Sequence, residues 1–166
     1  MDAIFKRKSV RRYTGQDVPD SLVKNILAAG MSAPSAGNQQ PWHFIVIKDK
    51  EALRKVSECS PHARPLQDSR LGILVCADLD LERHKGYWVQ DCSAAVENML
   101  VEVTALGLGA VWLGVYPRED RVQYLKKYFA LPEQIIPFAI VSIGYPGQEV
   151  IASDRYNQSR VHYEKW

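Results

Sequence analysis

The longest unbroken helical pattern in the chain, Gln90 to Leu106, is what most constrains its fold. Ala94, Ala95, Met99, Leu100 and Val103 recur along it as apolar positions, and Val96 widens the apolar surface beyond a single stripe. A helix that is hydrophobic on more than one face packs deep in a domain or at a subunit contact. The pattern ends at Gly107-Leu108-Gly109, and a strand pattern over Ala110 to Tyr116 follows at once. A dinucleotide-binding fingerprint needs the opposite order, strand then glycines then helix, with a different glycine spacing. The glycines of Gly107 to Gly114 are therefore no such fingerprint, and they argue against a doubly wound parallel sheet.

The remaining elements follow from periodicity and punctuation. Ala3 to Lys8 reads as a short helix. Pro19-Asp20-Ser21 opens a second helix, with Leu22, Val23, Ile26 and Leu27 at helical spacing and Gly30 near its end. His43 to Lys48 reads as a buried strand, Lys50 to Cys59 as an amphipathic helix, and Leu71 to Ala77 as a second buried strand stopped by Asp78. Glu119 to Tyr128 is another helix, and Ile135 to Gly144, interrupted by Pro137, a fourth strand. The mixture predicts an α/β or α+β sandwich with helices on both faces.

A length of 166 residues fits one domain, 1–166, with a sizeable core, and no repeat, low-complexity tract or linker divides it. From Gly147 to Trp166 there is no convincing core helix, yet the segment carries Tyr156, Val161, Tyr163 and Trp166. These side chains need a surface to cover. An extended tail embracing a partner subunit in a C2 dimer provides one, and the chain's own body provides another.

Composition narrows the function. Hydrophobic residues make up 46% and charged residues 24%, as in an ordinary soluble globule. A net charge of +2, with dispersed cations, does not fit nucleic acid as the main partner. Three cysteines without C-x-x-C spacing suit a reducing compartment, and Cys76, within an apolar run, reads as a small buried hydrophobe. Met1 to Lys6 holds no apolar leader stretch, and no run approaches membrane-spanning length. A cytoplasmic enzyme or binding protein, with no membrane association, is the expectation. His43, His62, His84 and His162 are scattered, which predicts no metal site, and neither a G-x-S-x-G elbow nor a P-loop is present. Asp91 near the start of the long helix reads as a dipole and capping choice rather than a catalytic acid.

Three segments carry chemistry. Arg7-Lys8-Ser9-Val10-Arg11 supplies guanidinium groups and a hydroxyl within five residues, a set matched to phosphate oxygens. Ala33-Pro34-Ser35-Ala36-Gly37-Asn38-Gln39-Gln40-Pro41-Trp42 is rich in turn formers and amides, and loop N–H groups can serve an anion too. Trp112-Leu113-Gly114 ends a strand on a glycine, where a flat ligand can approach the backbone closely. For a flavin, N–H groups of Leu113 and Gly114 would face ring N5, and Arg11 would stabilise the reduced, anionic ring. Arg7 is the better phosphate ligand, with Ser9 adding its hydroxyl.

Taken in order over essentially the whole chain, these segments resemble the nitroreductase family of flavoproteins. The likeness runs through Arg7 to Tyr13, Ala33-Pro34-Ser35, Gln40 to Phe44, Gln90-Asp91, Gly107 to Gly114, Gly144-Tyr145-Pro146 and the tail from Arg155 to Trp166. It implies an α+β homodimer, with a central mostly antiparallel sheet flanked by helices and a tail wrapping the partner. It also implies bound FMN at the subunit interface, NAD(P)H as co-substrate, and ping-pong hydride transfer through flavin N5. By the family pattern Arg7, Lys8, Ser9 and Arg11 bind the phosphate, ribityl and pyrimidine parts of FMN. Pro34, Ser35, Ala36 and Asn38, with Gln39, reach the flavin from the other subunit. Leu113 and Gly114, next to Trp112, flank N5, and Arg160 adds a phosphate contact. Gln158 stands where many members carry a basic residue.

Larger members insert a helical segment between the second strand and the long helix; here Asp78 to Val89 is all that fills the interval. The pocket is expected to be more open or differently roofed, with Tyr87 and Trp88 as candidates for its wall, and equally for core or dimer-contact aromatics. The flavin carries the chemistry, so no side chain is assigned as a catalytic acid or base. The expected activity is hydride transfer from NAD(P)H to a small-molecule electron acceptor: a nitroaromatic, a quinone or a similar electron-poor compound. A flavin-storing or sensing protein, or a same-fold enzyme of flavin fragmentation or reductive dehalogenation, are the alternatives.

Overall fold

The computed structural model describes residues 2–149 and 155–166. Among these residues the central sheet has four strands: β1 (Trp42–Ile47), β2 (Leu71–Asp78), β3 (Gly109–Gly114) and β4 (Ile135–Gly144). Their order across the sheet is β1-β2-β4-β3, and every pair is antiparallel. This is the α+β alternative, and a Rossmann arrangement is excluded as the glycine order predicted.

Among the described residues six α-helices surround it: α1 (Asp2–Lys6), α2 (Asp20–Met31), α3 (Lys50–Ser57), α4 (Pro65–Asp68), α5 (Trp88–Ala105) and α6 (Glu119–Tyr128). The period of two in β2 explains why helices lie on both faces. Leu71, Ile73, Val75 and Ala77 point into one core, shared with Val23 and Ile26 of α2 and Cys92, Ala95, Met99 and Val103 of α5. Leu74 and Cys76 point into the other, with Leu53 and Val56 of α3, Leu66 of α4 and Val122 and Leu125 of α6. Cys76 is the buried hydrophobe its run suggested, and burial pushes its thiol pKa up to about 12. None of the helices among the described residues is long and apolar enough to cross a membrane.

Several elements differ from the periodicity reading, each for a local reason. Helix α1 stops at Lys6 rather than Lys8, because Ser9 bridges Ala110 in parallel and Val10 donates its N–H to the Ala110 carbonyl at 2.9 Å. The basic run is thus drawn out along the edge of β3. That strand ends at Gly114, not Tyr116, since the Val115 and Tyr116 N–H groups both turn onto the Phe138 carbonyl. Pro137 does not break β4: Cys76 pairs with Pro137 and Val75 with Ala139, so Phe138 is the extra residue of a β-bulge. Helix α4 escapes a periodicity reading because its four residues are too few to show a period.

Two contacts hold the basic segment down. A Cβ on Gly109 would lie 2.7–2.8 Å from the Val10 side chain, so only glycine lets the segment seat on β3. The Tyr13 hydroxyl lies 2.9 Å from the Val10 carbonyl and 3.0 Å from that of Ser142, pinning the segment across the sheet. Burial, opposed weakly by the Ser142 hydrogen bond and by Arg11, raises the Tyr13 pKa from 10.0 to about 12.

Gly109→Ala is expected to cost about 1–3 kcal/mol of stability by overpacking against Val10, read from urea unfolding. Tyr13→Phe should cost about 1 kcal/mol near neutrality through its lost hydrogen bonds. Because the folded pKa is raised, the phenol's contribution is complete below pH 10 and is lost as pH rises through about 12. The stability gap between wild type and Tyr13→Phe should therefore close and then reverse in urea titrations repeated from about pH 9 to 12, since the cost of ionising the buried phenol outweighs its hydrogen bonds; a gap constant over that range would contradict it.

Candidate functional site

The pinned basic segment delivers Arg11 to a cleft. Arg11, His62, Pro65, Val111, Trp112, Leu113, Gly114 and Arg121 line a space of about 490 Å³ on the β3 edge. A Cβ placed on Gly114 would meet nothing within 4 Å, so the strand end opens onto free space there. Arg121 at the start of α6 donates to the Gly114 carbonyl at 2.7 Å, which fixes the turn out of the strand and adds a second cation. Beside it Arg11, Arg12 and Arg64 line a wider, contiguous groove with Pro65, Gln67, Asp68 and Gln148. A flat ligand with an anionic end matches this arrangement: bare backbone at Gly114, an indole at Trp112, guanidinium groups around them.

The other predicted residues lie elsewhere. Arg7 is partly buried, with its Nε 3.5 Å from Glu97 of α5. Lys8 is half-buried and Ser9 exposed. None of the residues lining the cleft belongs to 34–39. That segment forms a separate turn beyond the end of α2, with Ala36–Asn38 in one 3-10 turn. Pro34 and Asn38 are exposed there, and Ser35 accepts the Gln40 N–H at 3.0 Å. Gln39, by contrast, is buried: its amide nitrogen donates to Asp91 at 2.6 Å, and its oxygen accepts from the Arg83 and His84 N–H groups at 2.9 and 3.0 Å. Asp91 also accepts the Ala36 N–H at 2.9 Å. Asp91 lies in the first turn of α5, where its charge suits the helix dipole, but its carboxylate caps none of the helix N–H groups. Both of its oxygens are spent on the 36–39 turn instead.

The short interval before α5 forms a roof over this turn. Leu79–Leu81 is a 3-10 turn, and the following loop closes with Gly86 donating to Glu82 at 2.6 Å. Arg83 Nη2 donates to the Gly37 carbonyl at 3.0 Å, and a Cβ on Gly37 would overlap the His84 ring, so only glycine fits beneath it. The two candidate wall residues part company. Tyr87 is half exposed, edge-on to His84 at 6.5 Å. Trp88 is 8% exposed and packs in the core against Tyr116 at 4.7 Å and Phe138 at 6.0 Å, and Phe138 meets Trp112 at 5.7 Å. Arg160 closes the Gln158–Arg160 turn of the tail, whose described residues, 155–166, are all exposed; 150–154 lie outside the described residues. Among the described residues no cluster of His, Cys, Asp and Glu could hold a metal ion.

Sequence reading missed His62, Pro65, Arg121 and the Gln39–Asp91 link. His62 and Pro65 lie in short turns without periodicity, and Arg121 looks like any exposed helix residue until the fold brings it to Gly114.

Comparison with known proteins bears on the family and the fold. A Methanothermobacter thermautotrophicus protein provisionally named NADH dehydrogenase/NAD(P)H nitroreductase is 45% identical over 166 residues, covering 100% of this chain and 87% of its own. The crystal structure of a provisionally named NADH oxidase from Clostridium acetobutylicum superposes with a TM-score of 0.97 at 44% identity, over 99% of this chain and 100% of that one. The structure of a provisionally named nitroreductase from Desulfovibrio desulfuricans, in complex with FMN, gives a TM-score of 0.87 at 33% identity over 99% of this chain and 96% of its own. The nitroreductase family model matches residues 4–69 and 74–145. With the antiparallel sheet, the basic segment on β3 and the open strand end at Gly114, this makes the chain a member of the nitroreductase family.

Proposed function

We propose that the protein is an FMN-dependent oxidoreductase that passes hydride from NAD(P)H to an electron-poor small molecule such as a quinone or nitroaromatic, and that it works as a homodimer. The observation that carries this reading is the cleft in which Arg11 meets Trp112, Leu113 and Gly114. FMN, when bound, supplies at N5 the centre that accepts and donates hydride. The chain's own residues bind, orient and neutralise. Arg7, Lys8 and Ser9, just before Arg11 in the chain and outside the cleft lining of one chain, would hold the phosphate and ribityl end by the family pattern, with Arg160 of the tail as a further cation. Arg11, which lines the cleft, would serve the pyrimidine end of the flavin, where a fixed guanidinium would favour the reduced, anionic form. Leu113 and Gly114, at the open strand end, would offer backbone to N5.

Pro34, Ser35, Ala36 and Asn38 belong to the site only if a second copy brings them, since the cleft of one chain contains none of them. Three observations support such a copy. Ile4, Phe5 and Met31 are 63%, 77% and 52% exposed, unusual for residues of that size. Strand β1 pairs on one side only, with β2, leaving its outer edge open among the described residues. Tyr156, Tyr163 and Trp166 in the tail are 72%, 75% and 100% exposed. Embracing a partner answers all three, with the acceptor entering beneath the Tyr87 roof.

Purified protein should be yellow, and should bleach anaerobically when NADH or NADPH is added, followed by flavin absorbance. Colour that persists under excess of both nucleotides would point instead to flavin storage. Arg7→Ala is expected to weaken FMN binding by about 2–5 kcal/mol if the contact is buried in the holoprotein, measured by titration of the apoprotein. Unchanged affinity would remove Arg7 from the phosphate site.

A further inference from the structure

The turn proposed to meet the flavin and the roof proposed to meet the acceptor are joined by a relay of hydrogen bonds with a fixed polarity. Asp91 and Gln39 are 4% and 6% exposed. The Gln39 oxygen faces two backbone N–H donors, those of Arg83 and His84. Only an oxygen can answer two donors, so the Gln39 amide must present its NH2 to residue 91. Residue 91 must then accept twice, from Gln39 and from the Ala36 N–H, at 2.6 and 2.9 Å. A carboxylate does this with one oxygen for each donor, whereas an amide has only one oxygen to offer.

We propose that Asp91 and Gln39 are positioning residues, which lock the 35–40 turn and the Arg83–Tyr87 roof into one rigid unit and thereby set flavin affinity and acceptor approach. The proposal rests on the flavin-binding reading above. It moves Gln39 from ligand contact to support: both ends of its amide are already engaged within the chain, and the faces left for a ligand are those of its exposed neighbours, Pro34 and Asn38. The relay is separate from what holds α5 in place, which is the burial of Cys92, Ala95, Val96, Met99 and Val103. Its loss should therefore loosen the two loops more than the core.

Polarity gives a sharp test. Asp91→Asn sets an NH2 against another N–H donor whichever way it turns. Gln39→Glu sets two carboxylates face to face. The double variant Q39E/D91N restores every bond. The carboxylate introduced at position 39 accepts from the Arg83 and His84 N–H groups and from the amide NH2 introduced at position 91, while the oxygen of that amide accepts from Ala36. FMN dissociation constants of the apoproteins, thermal melting, visible circular dichroism of the bound flavin, and kcat and KM with a benzoquinone acceptor are to be measured for all four proteins. Each single variant should raise the FMN dissociation constant and the acceptor KM by roughly tenfold or more, as loss of an outer support does elsewhere, and the double should return both to within about threefold of wild type. A melting point that falls in Asp91→Asn while FMN affinity and acceptor KM stay at wild-type values overturns the positioning role alone. Wild type that takes up no FMN overturns the flavin reading and this inference with it. If Asp91→Asn does not fold, the double variant decides: recovery of fold and FMN affinity supports the relay, and failure of either overturns it.

Discussion

The absence of a side chain at residue 109 is the constraint on which the rest of the cleft depends. With nothing on Gly109, Val10 seats against β3 and its N–H finds the Ala110 carbonyl. The segment before and after it is then held in register with the edge strand of a rigid sheet rather than left as a charged loop. That register carries Arg11 to the level of Trp112–Gly114, and Tyr13, bonded across to Ser142, stops it from peeling away. Precision in a ligand site comes from rigid elements and locked rotamers. Here it comes from main-chain pairing of a segment that carries four cations, Arg7, Lys8, Arg11 and Arg12. Such a segment would repel itself if it were free.

A second constraint acts at the N-terminal end of α5. A roof only a few residues long has little apolar surface of its own, so packing cannot order it. Hydrogen bonds from Gln39 to its backbone replace that packing, and the buried carboxylate of Asp91 fixes which way Gln39 faces. Burying a charge is costly unless it is well hydrogen-bonded, and the cost is met by two donors supplied from the turn it organises. Gly37 completes the joint by leaving room for the His84 ring.

Much of this was legible in the sequence, and the boundary between legible and hidden is a physical one. Helix α6 and strand β4 lie where periodicity placed them: Val122 and Leu125 anchor one side of α6 in the core, and β4 is buried from Pro137 to Gly144. The antiparallel order was foreshadowed by the glycines after α5 rather than before it. The end of α1 and the end of β3 were misjudged because tertiary bonds, Val10 to Ala110 and Tyr116 to Phe138, decided them. In the cleft, Arg11 and Trp112 to Gly114 were found because residue chemistry marks them, whereas Arg121 and His62 carry no such mark. The Gln39–Asp91 bond joins residues 52 apart in the chain, and no local pattern announces a pairing at that distance.

On the proposed reading one chain does not make the whole site, and the geometry of the two halves gives the reason. The predicted ligands Arg11, Trp112, Leu113 and Gly114 line the cleft at the β3 edge, whereas those of the 34–39 turn lie with α5 and the roof. Within a chain, the relay that stiffens the turn also ties it to Arg83 and His84, so the turn cannot swing across to its own Gly114 without breaking four hydrogen bonds. Rigidity of each half therefore argues for two copies rather than for a flexible single one. On the proposed reading a C2 axis makes the arrangement self-consistent: each chain gives its turn and roof to the other's cleft, and the exposed α1 and tail side chains lie in between.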